Sequence, residues 1–121
     1  MVNIKTFEKI VKDSVDSIPK KLRLVLEKEN IRVLVREKVP KVLQNKFKND
    51  LIFGVFIGVS HDKSSVFNIQ QEPTRIELYK ESFEKAFGNR QEMEQQIVKT
   101  VIHEIGHYFG FSEEDLQEYL L

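Results

Sequence analysis

His103-Glu104-Ile105-Gly106-His107, at the end of the run from Asn89 to Phe109, is the stretch that decides how this chain is read. Within that run Met93, Ile97, Val101, Ile105 and Phe109 recur every fourth residue. Val98 and Ile102 widen the stripe to the width of a core-facing helix. Gln96, Thr100, His103 and His107 fall on a different, more polar face. Upstream, Asn89-Arg90-Gln91-Glu92 has the form of a capping box, with Asn89 as N-cap and Glu92 reaching back. Gly110 stands where a left-handed C-terminal cap is expected. A helix is therefore predicted, with the pentapeptide in its last two turns and a sharp turn after it.

Residues four apart share a helix face, so His103 and His107 can offer two imidazoles to one metal ion. Glu104 sits one position round and can reach a metal-bound water without being a ligand. Two His, a third protein ligand and one water form the usual tetrahedral set of hydrolytic zinc sites. The bland alternative is an amphipathic helix that carries two His and a Glu on its polar side. The third ligand has to come from beyond the turn. His103 to Glu113 gives the spacing H-E-x-x-H-x-x-G-x-x-E. A glycine there can reverse the chain, and the side chain three residues on can point back at the metal. Glu113 is the first candidate, with Glu114 and Asp115 as alternatives. Ser112-Glu113-Glu114-Asp115 is also a good helix start, with Ser112 as N-cap and the acids favoured by the helix dipole.

His103 to Leu116 resembles the active-site segment of the small bacterial zincin-like metallopeptidases, or minimal zincins, whose pattern is H-E-x-x-H-x-x-G-x-x-D. Phe7 to Pro19 resembles their N-terminal helix and its proline-marked exit, and Ile31 to Val35 with Pro40 their first strand. Thr74 to Lys80 resembles the edge strand before their catalytic helix. The resemblance implies a zinc metalloprotease with one Zn2+ per chain. His103 and His107 would be ligands and Glu104 the catalytic base. Glu113 would be the third ligand, in the place where the family has Asp. The larger metzincins have His at that place, and the chain does not resemble them.

Of 121 residues, 40% are hydrophobic and 31% charged, which suits one soluble globular domain spanning 1–121. No cysteine is present, so neither a disulfide framework nor a thiolate site is available. No run of apolar residues is long enough to span a bilayer, and Met1 to Lys12 is too polar for a secretory leader, so no membrane association and a cytoplasmic location are expected. Net charge is zero, but residues 1–50 hold 13 Lys and Arg against 7 Asp and Glu, while residues 51–121 hold 6 against 12. The basic half could bind an acidic partner. No aromatic-interleaved basic platform is visible, so no nucleic acid is expected.

Ile4, Phe7, Ile10, Val11 and Val15 have helical spacing, and Pro19 fits the first position of a second, short helix that Asn30 ends. Ile31 to Val35 alternates as a strand. Lys41 to Asp50 reads as a basic loop or short helix, and Leu51 to Val59 as a buried strand with bulges at Gly54 and Gly58. Ser60 to Pro73 reads as a loop, Arg75 to Tyr79 as a strand and Glu81 to Phe87 as a helical turn. The architecture expected is α+β. A three-stranded sheet would carry the N-terminal helix and the C-terminal H-E-x-x-H helix. Residues 75–79 are the candidate edge strand, along which a peptide or protein substrate could add.

The function expected is zinc-dependent hydrolysis of peptide bonds by a metal-activated water, with Glu104 moving the proton. His61, Arg75, Tyr79 and Tyr108 are open candidates for stabilising the oxyanion. The alternative is a catalytically inactive zincin-like domain that binds a metal or a peptide.

Overall fold

Asn3 opens the first helix by accepting the Thr6 amide on its side chain, and α1 (Ile4–Asp16) follows with Phe7, Ile10, Val11 and Ser14 turned inward. The computed structural model describes residues 2–48, 51–58, 74–109 and 114. Pro19 is the N-cap of α2 (Lys20–Lys28), one position before the place its sequence context suggested, and Leu22 and Leu26 face the core. Asn30 then takes φ +54°, a left-handed conformation that asparagine tolerates better than most residues, and so reverses the chain into β1 (Arg32–Arg36).

The basic stretch after β1 holds a short helix, α3 (Lys41–Lys46), with Leu43 buried. β2 (Gly54–Ile57) is shorter than the apolar run that contains it. Gly54 does not mark a bulge. It pairs in register with Leu78, and a Cβ there would lie 2.7 Å from the Glu77 carbonyl and 3.1 Å from Thr100 Cγ2. Glycine is needed because the neighbouring strand approaches so closely, with Thr100 of the last long helix behind it. Gly58 has φ +138°, beside Thr74. β3 (Arg75–Tyr79) runs straight into α4 (Lys80–Ala86). The long helix α5 (Arg90–Tyr108) follows, capped by Asn89, whose side chain accepts the Glu92 amide.

The sheet is mixed, in the order β1-β3-β2. β1 pairs parallel to β3 and β2 antiparallel to it. Arg75–Tyr79 is therefore the central strand and not an edge, which corrects the expectation for that segment. Its alternation looked like that of a half-exposed strand because Arg75, Glu77 and Tyr79 are polar. Glu77 is nonetheless only 2% exposed. It accepts hydrogen bonds from Arg36 Nε (2.9 Å), Arg75 Nε (2.9 Å) and the Tyr79 hydroxyl (3.2 Å), which make a buried carboxylate tolerable there.

On the opposite face Ile76 and Leu78 join Phe7, Ile10, Phe83, Ile97, Val101 and Ile105 in one core. α1 and α5 pack on each other, α1 also against β1 and α5 also against β2. The result is the small α+β fold expected from the sequence. No helix among the described residues is long and apolar enough to cross a membrane. The 60–73 segment, with His61, lies outside the described residues, as do Gly110, Ser112, Glu113 and Asp115.

Candidate metal centre

The apolar stripe of α5 fixes where the polar face points. Ile97, Val101, Ile102 and Ile105 are buried, so the helix cannot rotate without exposing them. His103 and His107 are left on the side away from the core, half-buried and exposed respectively. Their ring centres are 6.4 Å apart and their planes 26° apart. Imidazoles sharing one tetrahedral zinc at about 2 Å bring their ring centres to roughly 5 Å. The observed spacing is therefore a little wider than that of a closed pair. Both residues lie in the last turns of α5, where the negative end of the helix dipole favours a cation.

Glu104 points toward the sheet. Its side chain is 15% exposed, and Oε1 accepts the backbone N–H of Phe56 in β2 at 2.7 Å. Oε2 lies 3.7 Å from His107 Nδ1. Burial pushes the Glu104 carboxyl above the usual carboxylate range, against the opposing pull of His107 and the Phe56 amide. The Phe56 amide is the one member of this site that sequence reading could not have supplied, since a backbone donor has no signature. The Phe56 ring packs on Tyr108, with centroids 5.0 Å apart, and so ties β2 to the end of the helix.

The structure thus brings His103, Glu104 and His107 together. Among the described residues no three His, Cys, Asp or Glu side chains form a complete metal-binding group. The pair supplies two imidazole nitrogen donors of the kind zinc takes. The candidate third ligand, Glu113, lies outside the described residues, and its neighbour Glu114 is exposed. Two of the oxyanion candidates are spoken for. Tyr79 is fully buried with its hydroxyl on Glu77, and burial raises its pKa. Arg75 is paired with the same Glu77. Tyr108 is half-buried, and its hydroxyl is also pushed up by burial, with a smaller contribution from Glu29.

A small α+β domain whose last long helix presents two imidazoles and a carboxylate beside a sheet edge has the layout of a zincin. The sequence pattern of the family described as zincin-like metallopeptidase matches residues 28–120, and the chain belongs to that family. No curated protein matches it. The matched region starts at the last residue of α2, so α1 and nearly all of α2 precede it.

Proposed function

We propose that this chain is a zinc-dependent peptide hydrolase, with His103 and His107 as two zinc ligands, Glu113 as the third and Glu104 as the general base. One observation carries the reading: the Glu104 carboxylate, anchored on the Phe56 amide of β2, lies 3.7 Å from His107, whose ring is the neighbour of His103 on the same helix face. Zinc held there would supply Lewis acidity, acidifying water and polarising a carbonyl. The chain's own part is orientation. The Phe56 amide fixes Oε1 of Glu104, so Oε2 is the oxygen turned to the His107 side. From there Glu104 takes a proton from the attacking water and passes it to the leaving amine.

Substrate would lie along β2, not along residues 75–79. Tyr79 donates its N–H to the Phe53 carbonyl at 2.9 Å, so Phe53, Val55 and Ile57 turn their backbone groups to β3. Gly54 and Phe56 turn theirs outward, on the side where Glu104 sits. An extended peptide paired to that edge through Gly54 and the Phe56 carbonyl would run past Glu104, which keeps the Phe56 amide, and be held by backbone hydrogen bonds with little regard to its sequence.

The test is hydrolysis of a mixed peptide library by zinc-loaded protein beside Glu104→Gln. The variant should keep its metal and lose cleavage. Cleavage that survives the change removes Glu104 from the base role. A zinc-loaded wild type that cleaves nothing leaves the domain as a metal- or peptide-binding module.

A further inference from the structure

The opposite edge of the sheet faces a groove. Among the described residues β1 has β3 on one side only. Because β3 turns Arg75, Glu77 and Tyr79 to β2, it turns Ile76 and Leu78 to β1. A parallel ladder in this register uses the backbone groups of Arg32, Leu34 and Arg36. The amides and carbonyls of Val33 and Val35 then point outward. Ile31, in the same phase, confirms the direction, since its N–H reaches out to the Leu26 carbonyl of α2 at 2.8 Å. Among the described residues no backbone group beyond β1 takes up Val33 or Val35.

Beside this edge runs a groove of about 960 Å³, lined by β1, by Val11 and Val15 of α1 and by Leu26 of α2. It contains no residue of α5, so it is separate from the metal centre. Its helical wall belongs almost wholly to the part of the chain that precedes the family match. We propose that this groove binds an extended peptide as a fourth strand of the sheet, on β1, and that the peptide carries acidic residues at two positions four apart with β-branched residues between them.

The ladder of outward amides and carbonyls specifies an extended chain, and a five-residue strand is about 16 Å long, enough for a peptide of similar length. The apolar lining suits β-branched side chains on the core-facing positions. The charge preference comes from β1 itself. Arg32 and Arg36 lie on one face at its two ends, Arg32 exposed and the Arg36 side chain 56% exposed with its Nε on Glu77, so Arg32 carries the greater share of the preference. The groove walls are balanced, with Lys9, Lys12 and Arg23 against Glu8, Asp16 and Glu27. Residues 1–50 together carry an excess of basic side chains, 13 against 7, which draws an acidic partner. A second copy of the chain is a poor occupant. Antiparallel self-pairing about Leu34 would set Arg32 against the other copy's Arg36, and like charges across a strand pair are unfavourable.

The test uses the full chain, isotope-labelled and carrying Glu104→Gln to prevent cleavage. It is titrated with a blocked peptide of sequence Glu-Val-Ile-Val-Glu and with its Lys-flanked counterpart. Saturable shifts of the Val33 and Val35 amides are expected, with the Lys-flanked peptide binding about tenfold more weakly at low salt. Val33→Pro removes an outward N–H at an edge position that proline tolerates, and should weaken binding about tenfold with the fold retained. Unmoved β1 amides, equal affinity for the two peptides, or binding indifferent to Val33→Pro would each overturn the proposal. So would a concentration-dependent dimer that excludes the peptide. Should Val33→Pro unfold the chain, Arg32→Glu at an exposed side chain decides the matter. It must shift preference toward the Lys-flanked peptide, and an unchanged preference overturns the proposal. Because hydrolysis is not measured, failure of the metal reading would leave this result standing.

Discussion

Glu77 and Glu104 are both largely buried carboxylates touching the same sheet, and the protein treats them in opposite ways. Glu77, in the middle of β3, is surrounded by donors. Burial alone would raise its pKa, but the hydrogen bonds and charges of Arg75 and Arg36 outweigh that and hold it below the usual carboxylate range. Glu104 has no arginine among its described partners. It has one backbone amide and a histidine, and burial prevails, pushing its carboxyl up. A carboxylate that only has to hold strands together is neutralised by matched charge. The proton-exchanging role proposed for Glu104 fits a carboxylate left under-compensated in this way.

The largest expected effect lies on the Glu104 side. Glu104→Gln should lower peptide hydrolysis by roughly 10²–10⁴-fold, measured as kcat/KM, since that is the usual contribution of a general base. The amide can still accept the Phe56 N–H, so thermal stability should hardly move. A variant that lost stability and activity together would erase the contrast between the two carboxylates.

Glu77→Ala should show the converse. Two arginines would lose a buried partner, at a cost of about 2–4 kcal/mol by denaturant unfolding, below the upper figures for buried pairs because Arg36 is half-exposed. Zinc binding by the folded fraction should persist. Unchanged stability would mean that solvent replaces the ion pairs without loss.

Gly54→Ala disturbs the seat of β2 against β3, on which the Glu104 side of the contrast depends. The added methyl meets the Glu77 carbonyl at 2.7 Å and Leu78 Cδ2 at 2.8 Å, so the strand has to shift. A loss of about 1–3 kcal/mol is expected, with reduced activity as the Phe56–Glu104 hydrogen bond lengthens. Full stability in this variant would show that the close approach is not needed.

The smallest effect concerns pH. The folded pKa of Glu77 is depressed, so its contribution to stability is fully present above the unfolded carboxylate value of about 4.3 and is lost as pH falls through the lower folded value. Acid unfolding below about pH 4 should therefore be shallower in Glu77→Gln than in the wild type. Parallel curves would remove the charge linkage from the account.

The helices were legible in the sequence where caps and period agreed. Asn89 and the four-residue recurrence from Met93 marked α5, and with it the positions of His103, Glu104 and His107. Strand order was not legible. The alternation of Arg75 to Tyr79 is the same whether Glu77 meets water or Arg36, which lies 41 residues away in sequence. Nor does a sequence record that the Phe56 amide reaches Glu104 across 48 residues, because every residue but proline carries that donor. Gly54 reads in the sequence as a bulge, and the structure gives another cause: it pairs in register, and the Glu77 carbonyl and Leu78 side chain leave no room for a Cβ.

The central claim, that the polar end of α5 is a zinc site, is tested most directly by metal analysis of tag-free protein purified without chelator, beside His107→Ala. About one zinc ion per chain is expected in the wild type, and its loss in the variant. Wild-type protein that takes up no zinc at micromolar concentration, or a variant that retains it, would contradict the account.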